Sequence, residues 1–579
     1  MRRVVARRGA ARRRAGAAVK AAAAAVAVVA VAGCTNAPPP PLVTTEIART
    51  ETSRVVDPGE VVVGVGSVDG GLNPHKLSDQ STLTTSLAQV LLPSVFRTGP
   101  DGVRRLDRTV MVSAEVTTAE PYVVTYRVRQ EAAWSDSAPI AAEDFVYLWE
   151  QLRESPGSVD GAGYRLIENI SAREGGKVVE VTFAQPYPGW RSLFSDLLPA
   201  HLLKDSPGGW GGALADGYPA SGGPYSLRQL DRDRGEVVLE RNDRYWTEPV
   251  ALDRIVLRRT DAAGLVGALR TGHTQLGLLP VDAEGEALVD GLGAEVVTTP
   301  VPGSTVATVL LRPVSEAMRQ SAVRRAVVAV LDRAELVEVG TGGGPAGQLL
   351  ADALITPPSA PGYRATRPSD VPVKPDPALA RQLLTSAGYT EESGMWERAG
   401  TPLNLTIAAG REDYTDLAAE VQRQLSVAGI QSRVLTPADP YDPDQETVDL
   451  LVGPLPAGGD LAVALAGRFG CAGEAEAGAT PTPTTSSTPP GDTPEPVAAN
   501  PLGYCDKGVD ESVKAALTGA TPAAEVLASV EPRLWQAALV YPLYQESSQL
   551  VVHRSVTGVA AGPPLAGPFA LADEWKRQS

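Results

Sequence analysis

Histidine and cysteine are scarce in this sequence, with 4 and 3 residues among 579. So few imidazoles and thiols leave little from which to build a zinc or iron–sulfur centre. Basic side chains are outnumbered, 52 Lys and Arg against 68 Asp and Glu, giving a formal charge of −16. Phosphate-backbone binding needs a basic face, so this balance argues against a nucleic-acid partner. The familiar catalytic signatures are missing too. There is no G-x-S-x-G elbow, no Walker A loop and no H-E-x-x-H pair. His75, His201, His273 and His553 are far apart in the chain and read as surface or core residues. Gly340–Gly347 is glycine-rich but lacks the Lys-Ser/Thr of a phosphate loop. The acidic stretch Asp439, Asp442, Asp444, Glu446, Asp449 has part of the alternation of a calcium loop. It lacks the turn glycine and is interrupted by Pro440 and Pro443, so no metal is expected there.

What is present divides sharply. Residues 1–33 carry eight Arg and Lys and no acid. Removing those eight positives from −16 leaves −24 on the remainder. Ala21–Ala32 is a run of small apolar residues. As a helix it would span about 18 Å, short of a hydrocarbon core of roughly 30 Å. A basic stretch followed by a short apolar one reads as a secretory leader. It ends in Val31-Ala32-Gly33-Cys34, which resembles the lipobox of bacterial lipoproteins. That resemblance implies a diacylglycerol on the Cys34 thiol and cleavage before it. The alternative is an ordinary leader with an incidental cysteine. Pro38–Pro41 and the polar run that follows read as an extended tether. No later stretch approaches 18 unbroken apolar residues.

Lipidation of Cys34 leaves Cys471 and Cys505. Outside the cytoplasm two remaining thiols pair, unless both stay buried and reduced. They flank residues 472–500, a low-complexity segment rich in Thr and Pro that buries too little apolar surface to order itself.

The body, 43% apolar over the whole chain, has material for a sizeable core and length for two large lobes or three to four smaller units. Val61–Val65, Tyr122–Arg129, Val178–Phe183, Val237–Arg241 and Ile255–Arg258 read as strands. Helices are expected after Asp376-Pro377, from Thr415, and from Ser315 with Val323, Val327, Val330 and Leu331 on its buried face. Gly388 and Gly429 close the first two. Strands at Leu403–Ala408, Gln431–Leu435 and Val448–Val452 complete an α/β second half.

Several stretches together resemble the family 5 solute-binding proteins of ABC importers, the oligopeptide, dipeptide and nickel group. Leu72-Asn73-Pro74 follows the first strand. Trp134-Ser135-Asp136-Ser137, with Ile140–Tyr147 after it, is similar to W-S-D-G-x-P-x-T-A-x-D-V. Gly223-Pro224-Tyr225 resembles G-T-G-P-Y, and Arg241–Trp246 resembles R-N-P-x-Y-W. Val323–Ala326 with Leu331–Leu336 resembles V-R-x-A and D-R-x-x-L, and Asp376–Tyr389 ends in L-L-x-x-A-G-Y. The resemblance implies a two-lobed α/β fold of the periplasmic-binding-protein type (type II, cluster C), with an extra subdomain in the first lobe. Expected boundaries are leader 1–33, tether 34–59, first lobe 60–304, second lobe 305–537 and a return to the first lobe over 538–579. A small ligand, peptide-like or glycolipid, would be enclosed between the lobes. Ser67, Val68 and Asp69, and Gly453, Leu455, Ala457 and Asp460, are the expected ligand contacts. No cofactor is implied, and the expected partner is an ABC permease met by a lipid-anchored monomer on the extracytoplasmic face of the cell membrane.

The sequence departs from that pattern in telling places. Ser137 stands for Gly, Ala141 for Thr, and Ser221-Gly222 for Gly-Thr. In peptide-binding members the strand near residue 450 continues into G-W-x-x-D, whose Asp pairs with the peptide's amino group. Here Pro454 stands at the Trp, Ala457 at the Asp, and Asp460 lies three residues beyond. A buried ammonium needs a counter-charge, so an ordinary free-amine peptide loses its anchor. Actinobacterial lipoproteins labelled as binding monoacyl phosphatidylinositol tetramannoside show a similarly diverged peptide site. The 44 Arg against 8 Lys suit such a GC-rich source. The leading expectation is a binding protein of a peptide/nickel-type importer. The second is a non-transport envelope lipoprotein of the same fold serving glycolipid assembly, and the third an exported hydrolase.

Overall fold

The computed structural model describes residues 59–155, 157–437, 439–441, 447–471 and 500–578. The leader, Cys34, nearly all of the tether and all but the last residue of the low-complexity insert lie outside them. Ten strands form one mixed sheet. In chain order they are β1 (Glu60–Val65), β2 (Tyr225–Asp231), β3 (Glu236–Arg241), β4 (Arg254–Arg259) and β5 (Leu276–Leu279). Then come β6 (Val296–Leu311), β7 (Asn404–Ala409), β8 (Gln431–Leu435), β9 (Leu450–Pro456) and β10 (Val540–His553). Their spatial order is β8-β7-β9-β6-β10-β5-β1-β4-β3-β2.

Strand alternation accounts for β1. Val61, Val63 and Val65 enter the largest apolar cluster, which reaches from the first lobe to Phe469 and Leu534, while Val62 meets Val238 and Val256 on the opposite face. A second large cluster gathers Val309, Val327, Leu384, Ile407, Leu425 and Val452 around the other end of the sheet. Only β6 and β10 serve both ends. Val296–Pro302 pairs with Ser547–His553, and after a bulge Val306–Leu310 pairs with Val540–Gln545. On its other side β6 is paired by β9 only over Thr305–Leu311, and β10 is paired by β5 only over Gln549–Val552. The sheet thus narrows to a two-stranded ribbon. Pro300 and Pro302 sit on the unpaired edge of β6, where a missing N–H costs no ladder bond. This fold is the α/β arrangement expected from the motifs.

A four-stranded antiparallel sheet stands apart, in the order Met111–Thr118, Tyr122–Val128, Val178–Phe183, Ile167–Arg173. The few aromatic residues concentrate against it. Phe145, Tyr126 and Tyr164 surround Phe194 at ring distances of 4.8, 5.3 and 5.5 Å.

The motif residues turn out to be staples of this architecture. Trp134 is fully buried and donates its indole N–H to Asp144 at 3.3 Å. Asp144 also accepts from the Ala141 and Ala200 amides, both at 3.0 Å. Ser137 has a φ of 80°, the left-handed region that a glycine occupies without cost. Gly223 cannot vary: a Cβ there would lie 2.1 Å from the Val90 carbonyl oxygen. Asn242 then clamps this turn, donating to the Gly223 carbonyl at 2.9 Å. In the second lobe Arg333 is buried and reaches Asp352 and the carbonyls of Ala351 and Leu543.

Two of the three expected helices run as read, Pro377–Ser386 and Thr415–Val427. The third divides. Ser315 caps only Glu316–Arg319, and Gln320 is extended before a new helix, Ser321–Val330. The buried Arg324 consumes carbonyls freed at that break, donating to Met318 and Arg319. Cys471 and Cys505 are joined by a disulfide.

Two outcomes follow from these contacts. Ala141 holds the N-cap of Ala142–Glu154 with no side-chain oxygen to offer. Ala141→Thr should therefore raise unfolding stability by about 1 kcal/mol in urea titration. Replacing both Cys471 and Cys505 by Ser should cost roughly 4 kcal/mol, the loop-closure entropy of a crosslink spanning some thirty residues.

Candidate functional site

Beside the narrow ribbon the lobes enclose a cavity of about 800 Å³. Its walls come from well-separated segments. The loop after β1 contributes His75 and Gln80, the small-sheet region contributes Arg97, Arg104, Asp160, Tyr164 and Arg191, and β9 with its sequel contributes Leu455, Ala457, Asp460 and Arg468. Gly458 and Gly459 turn the chain there with φ of 83° and 84°, a conformation glycine adopts freely.

The expected contact residues divide into two groups. Leu455, Ala457 and Asp460 line this cavity. Gly453 lies on β9 against Gly410 and outside the cavity lining. Ser67, Val68 and Asp69 also lie outside it: Val68 is fully buried in the core, Ser67 accepts from the Asp69 amide, and Asp69 pairs with Arg259 at 2.9 Å. Asp460 spends its carboxylate capping Leu461–Phe469, accepting from the Ala462 and Val463 amides. Ala457 presents only a methyl group where peptide-binding relatives were expected to place an acid.

The charged side chains of the wall differ in how they are satisfied. Arg97 pairs with Asp107 at 2.7 Å, and Asp101 pairs with Arg105 at 2.5 Å. His75 Nε2 lies 2.9 Å from the Asp196 carbonyl oxygen, and burial pushes its pKa down against the pull of Asp196. Arg191 stacks over Trp190, 4.2 Å from the ring centroid. Arg468 is buried and donates to the Leu354 and Pro456 carbonyls; burial lowers its pKa to about 10, so it stays charged at neutral pH. Burial raises the pKa of Asp160, opposed by Arg104 and then Arg468. No motif marks Arg104, Asp160, Arg191 or Arg468, which only the tertiary fold brings to one cavity.

The closed arrangement is held across the cleft. Arg411, on the loop after β7, donates to the Gln80 carbonyl at 2.5 Å and pairs with Glu546 of β10 at 2.9 Å. Tyr414 donates to the same Glu546 at 2.8 Å. Lys76 meets Asp439 at 3.3 Å. Among the described residues no group of three His, Cys, Asp or Glu could hold a metal ion. No helix among them is long and apolar enough to cross a membrane.

Two α/β lobes on a two-stranded ribbon, with a cavity of mixed polar and apolar lining between them, define a solute-binding protein. Residues 111–462 match the family described as bacterial extracellular solute-binding proteins, family 5 Middle. The probable monoacyl phosphatidylinositol tetramannoside-binding protein LpqW of Mycobacterium tuberculosis is 36% identical over 90% of this chain and 91% of its own. The oligopeptide-binding protein OppA of the same organism is 28% identical over 43% of this chain and 42% of its own. The Bacillus subtilis oligopeptide-binding protein AppA, solved with a nonapeptide, superposes with a TM-score of 0.69 at 16% identity, covering 90% of this chain and 99% of that one. The chain belongs to the family 5 bacterial extracellular solute-binding proteins.

Removing the Arg411 guanidinium takes away one cross-cleft bond, leaving that of Lys76 with Asp439, and deprives Glu546 of its cation. Arg411→Ala should keep its circular-dichroism spectrum while its ligand-free radius of gyration rises, as X-ray scattering would show.

Proposed function

We propose that this protein is a lipid-anchored extracytoplasmic binding protein that encloses the headgroup of a mannosylated phosphatidylinositol and serves envelope glycolipid assembly. The observation that carries this reading is the cavity itself. It is large enough for a ligand of several rings, its mixed lining includes arginine, aspartate and hydroxyl groups beside apolar side chains, and at Ala457, where the acid for a peptide's amino group was expected, it presents a methyl group. The relative named for binding a phosphatidylinositol tetramannoside spans nearly the whole chain and supports the same ligand class. The lipobox Val31–Cys34 supports attachment at the membrane surface.

A second reading, capture of peptides for an ABC permease, is favoured by the fold shared with AppA and the partial match to OppA. Binding to the deacylated tetramannoside headgroup and to short free-amine peptides separates the two. A ligand at a hundred times its dissociation constant adds about 2.7 kcal/mol of stability. The headgroup should raise the melting temperature accordingly. Stabilisation by the peptides alone would make the importer reading the correct one.

A further inference from the structure

Three charged side chains of the cavity wall are held in place but not satisfied by one another. Among the described residues no hydrogen-bond donor reaches the Asp160 carboxylate, and no cation lies within 4.0 Å of it. Its backbone is left-handed, φ 55°. Arg104, Arg468 and Asp460 line the same cavity as Asp160; the two arginines oppose the rise that burial gives its pKa, and Asp460 adds to it. Among the described residues Arg104 donates only to Ser195 Oγ, at 3.3 Å. Among the described residues Arg468 donates only to two carbonyls, which anchor its guanidinium without neutralising it.

A half-buried carboxylate, a half-buried guanidinium and the buried Arg468, all on one cavity wall and not paired with one another, leave hydrogen-bonding capacity for a ligand that enters the cavity. Four charges meet here, two of each sign, so a phosphate would encounter Asp160 and Asp460 as well as the arginines. A neutral group with adjacent donors and acceptors fits all of them. The vicinal hydroxyls of a sugar ring are such a group: each donates one hydrogen bond and accepts others. We propose that Asp160, Arg104 and Arg468 form a subsite for a vicinal diol of a hexose, the carboxylate accepting from one hydroxyl and the guanidinium groups donating to the diol oxygens. This rests on the glycolipid reading and specifies where its sugar is held.

Asp160→Asn is the informative variant, because Asn also tolerates the left-handed backbone and the site keeps its shape. Calorimetric titration would use mannotetraose, the deacylated phosphoinositol tetramannoside headgroup, inositol 1-phosphate and tetra-alanine, on the wild type, Asp160→Asn and Arg104→Gln. A hydrogen bond to a charged group is worth about tenfold or more in affinity. Both variants should weaken mannotetraose and headgroup binding by about that factor, with melting temperatures near that of the wild type. Tight headgroup with weak mannotetraose in the wild type would identify the lipid-derived source; equal affinities would identify free oligosaccharide. Headgroup binding unchanged in Asp160→Asn overturns this subsite while leaving the glycolipid reading standing. Tetra-alanine binding that Asp160→Asn abolishes, with no sugar binding to the wild type, overturns both. Inositol 1-phosphate binding that depends on Arg104 without any mannotetraose binding overturns the diol in favour of an anion.

Discussion

The pairing of β6 with β10 is the constraint on which the rest of the molecule depends. Every other strand belongs to one lobe, and these two are shared. Their register shift between Pro302 and Val306 places a bulge where the sheet is only two strands wide. A ribbon of that width bends more readily than the five- and three-stranded assemblies on either side. The cavity lies beside it, and Ser304, within the bulge, is one of its lining residues. Arg411 and Tyr414 meet Glu546 on the same ribbon. Hinge, cavity and cross-cleft contact are therefore one connected structure.

Much of the fold was legible because its motifs are architectural. Asp144 with the Ala200 amide, Asn242 with the Gly223 carbonyl, and Arg324 and Arg333 with their carbonyls each tie separate segments together through backbone groups. Such contacts demand particular residue types at particular spacings, so they survive as patterns in sequence. The departures read at Ser137 and Ala141 fall on a left-handed turn and an uncapped helix start, positions whose substitution costs energy without changing topology. The long strands were harder to see. Prolines and serines interrupt the alternation of β6 and β10, because an edge and a bulge tolerate what a central strand would not.

The site was less legible for a different reason. A cavity between lobes collects single residues from many segments, and each serves a local role as well. Leu455, Ala457 and Asp460 were accessible from the resemblance because they continue β9. Arg104, Asp160 and Arg468 belong to segments with no pattern of their own. Their relation is one of unsatisfied charge, which exists only after folding. Ser67 and Asp69, by contrast, read as contacts from their place after β1, yet they face Arg259 and each other. The direction of a loop is decided by its packing, not by its position in the chain.

The scarce aromatic residues are distributed unevenly enough to matter for observation. Of 8 tryptophans, Trp396 alone belongs to the apolar cluster of the second lobe. Trp535, in the helix Ala523–Ala537, is the other tryptophan of that lobe, and the remaining six lie before residue 305 or after residue 538. Intrinsic fluorescence of this protein is therefore chiefly a report on one side of the hinge. The half of the molecule that carries Arg411 across the cleft holds only Trp396 and Trp535, so its movement is better followed with a label of its own.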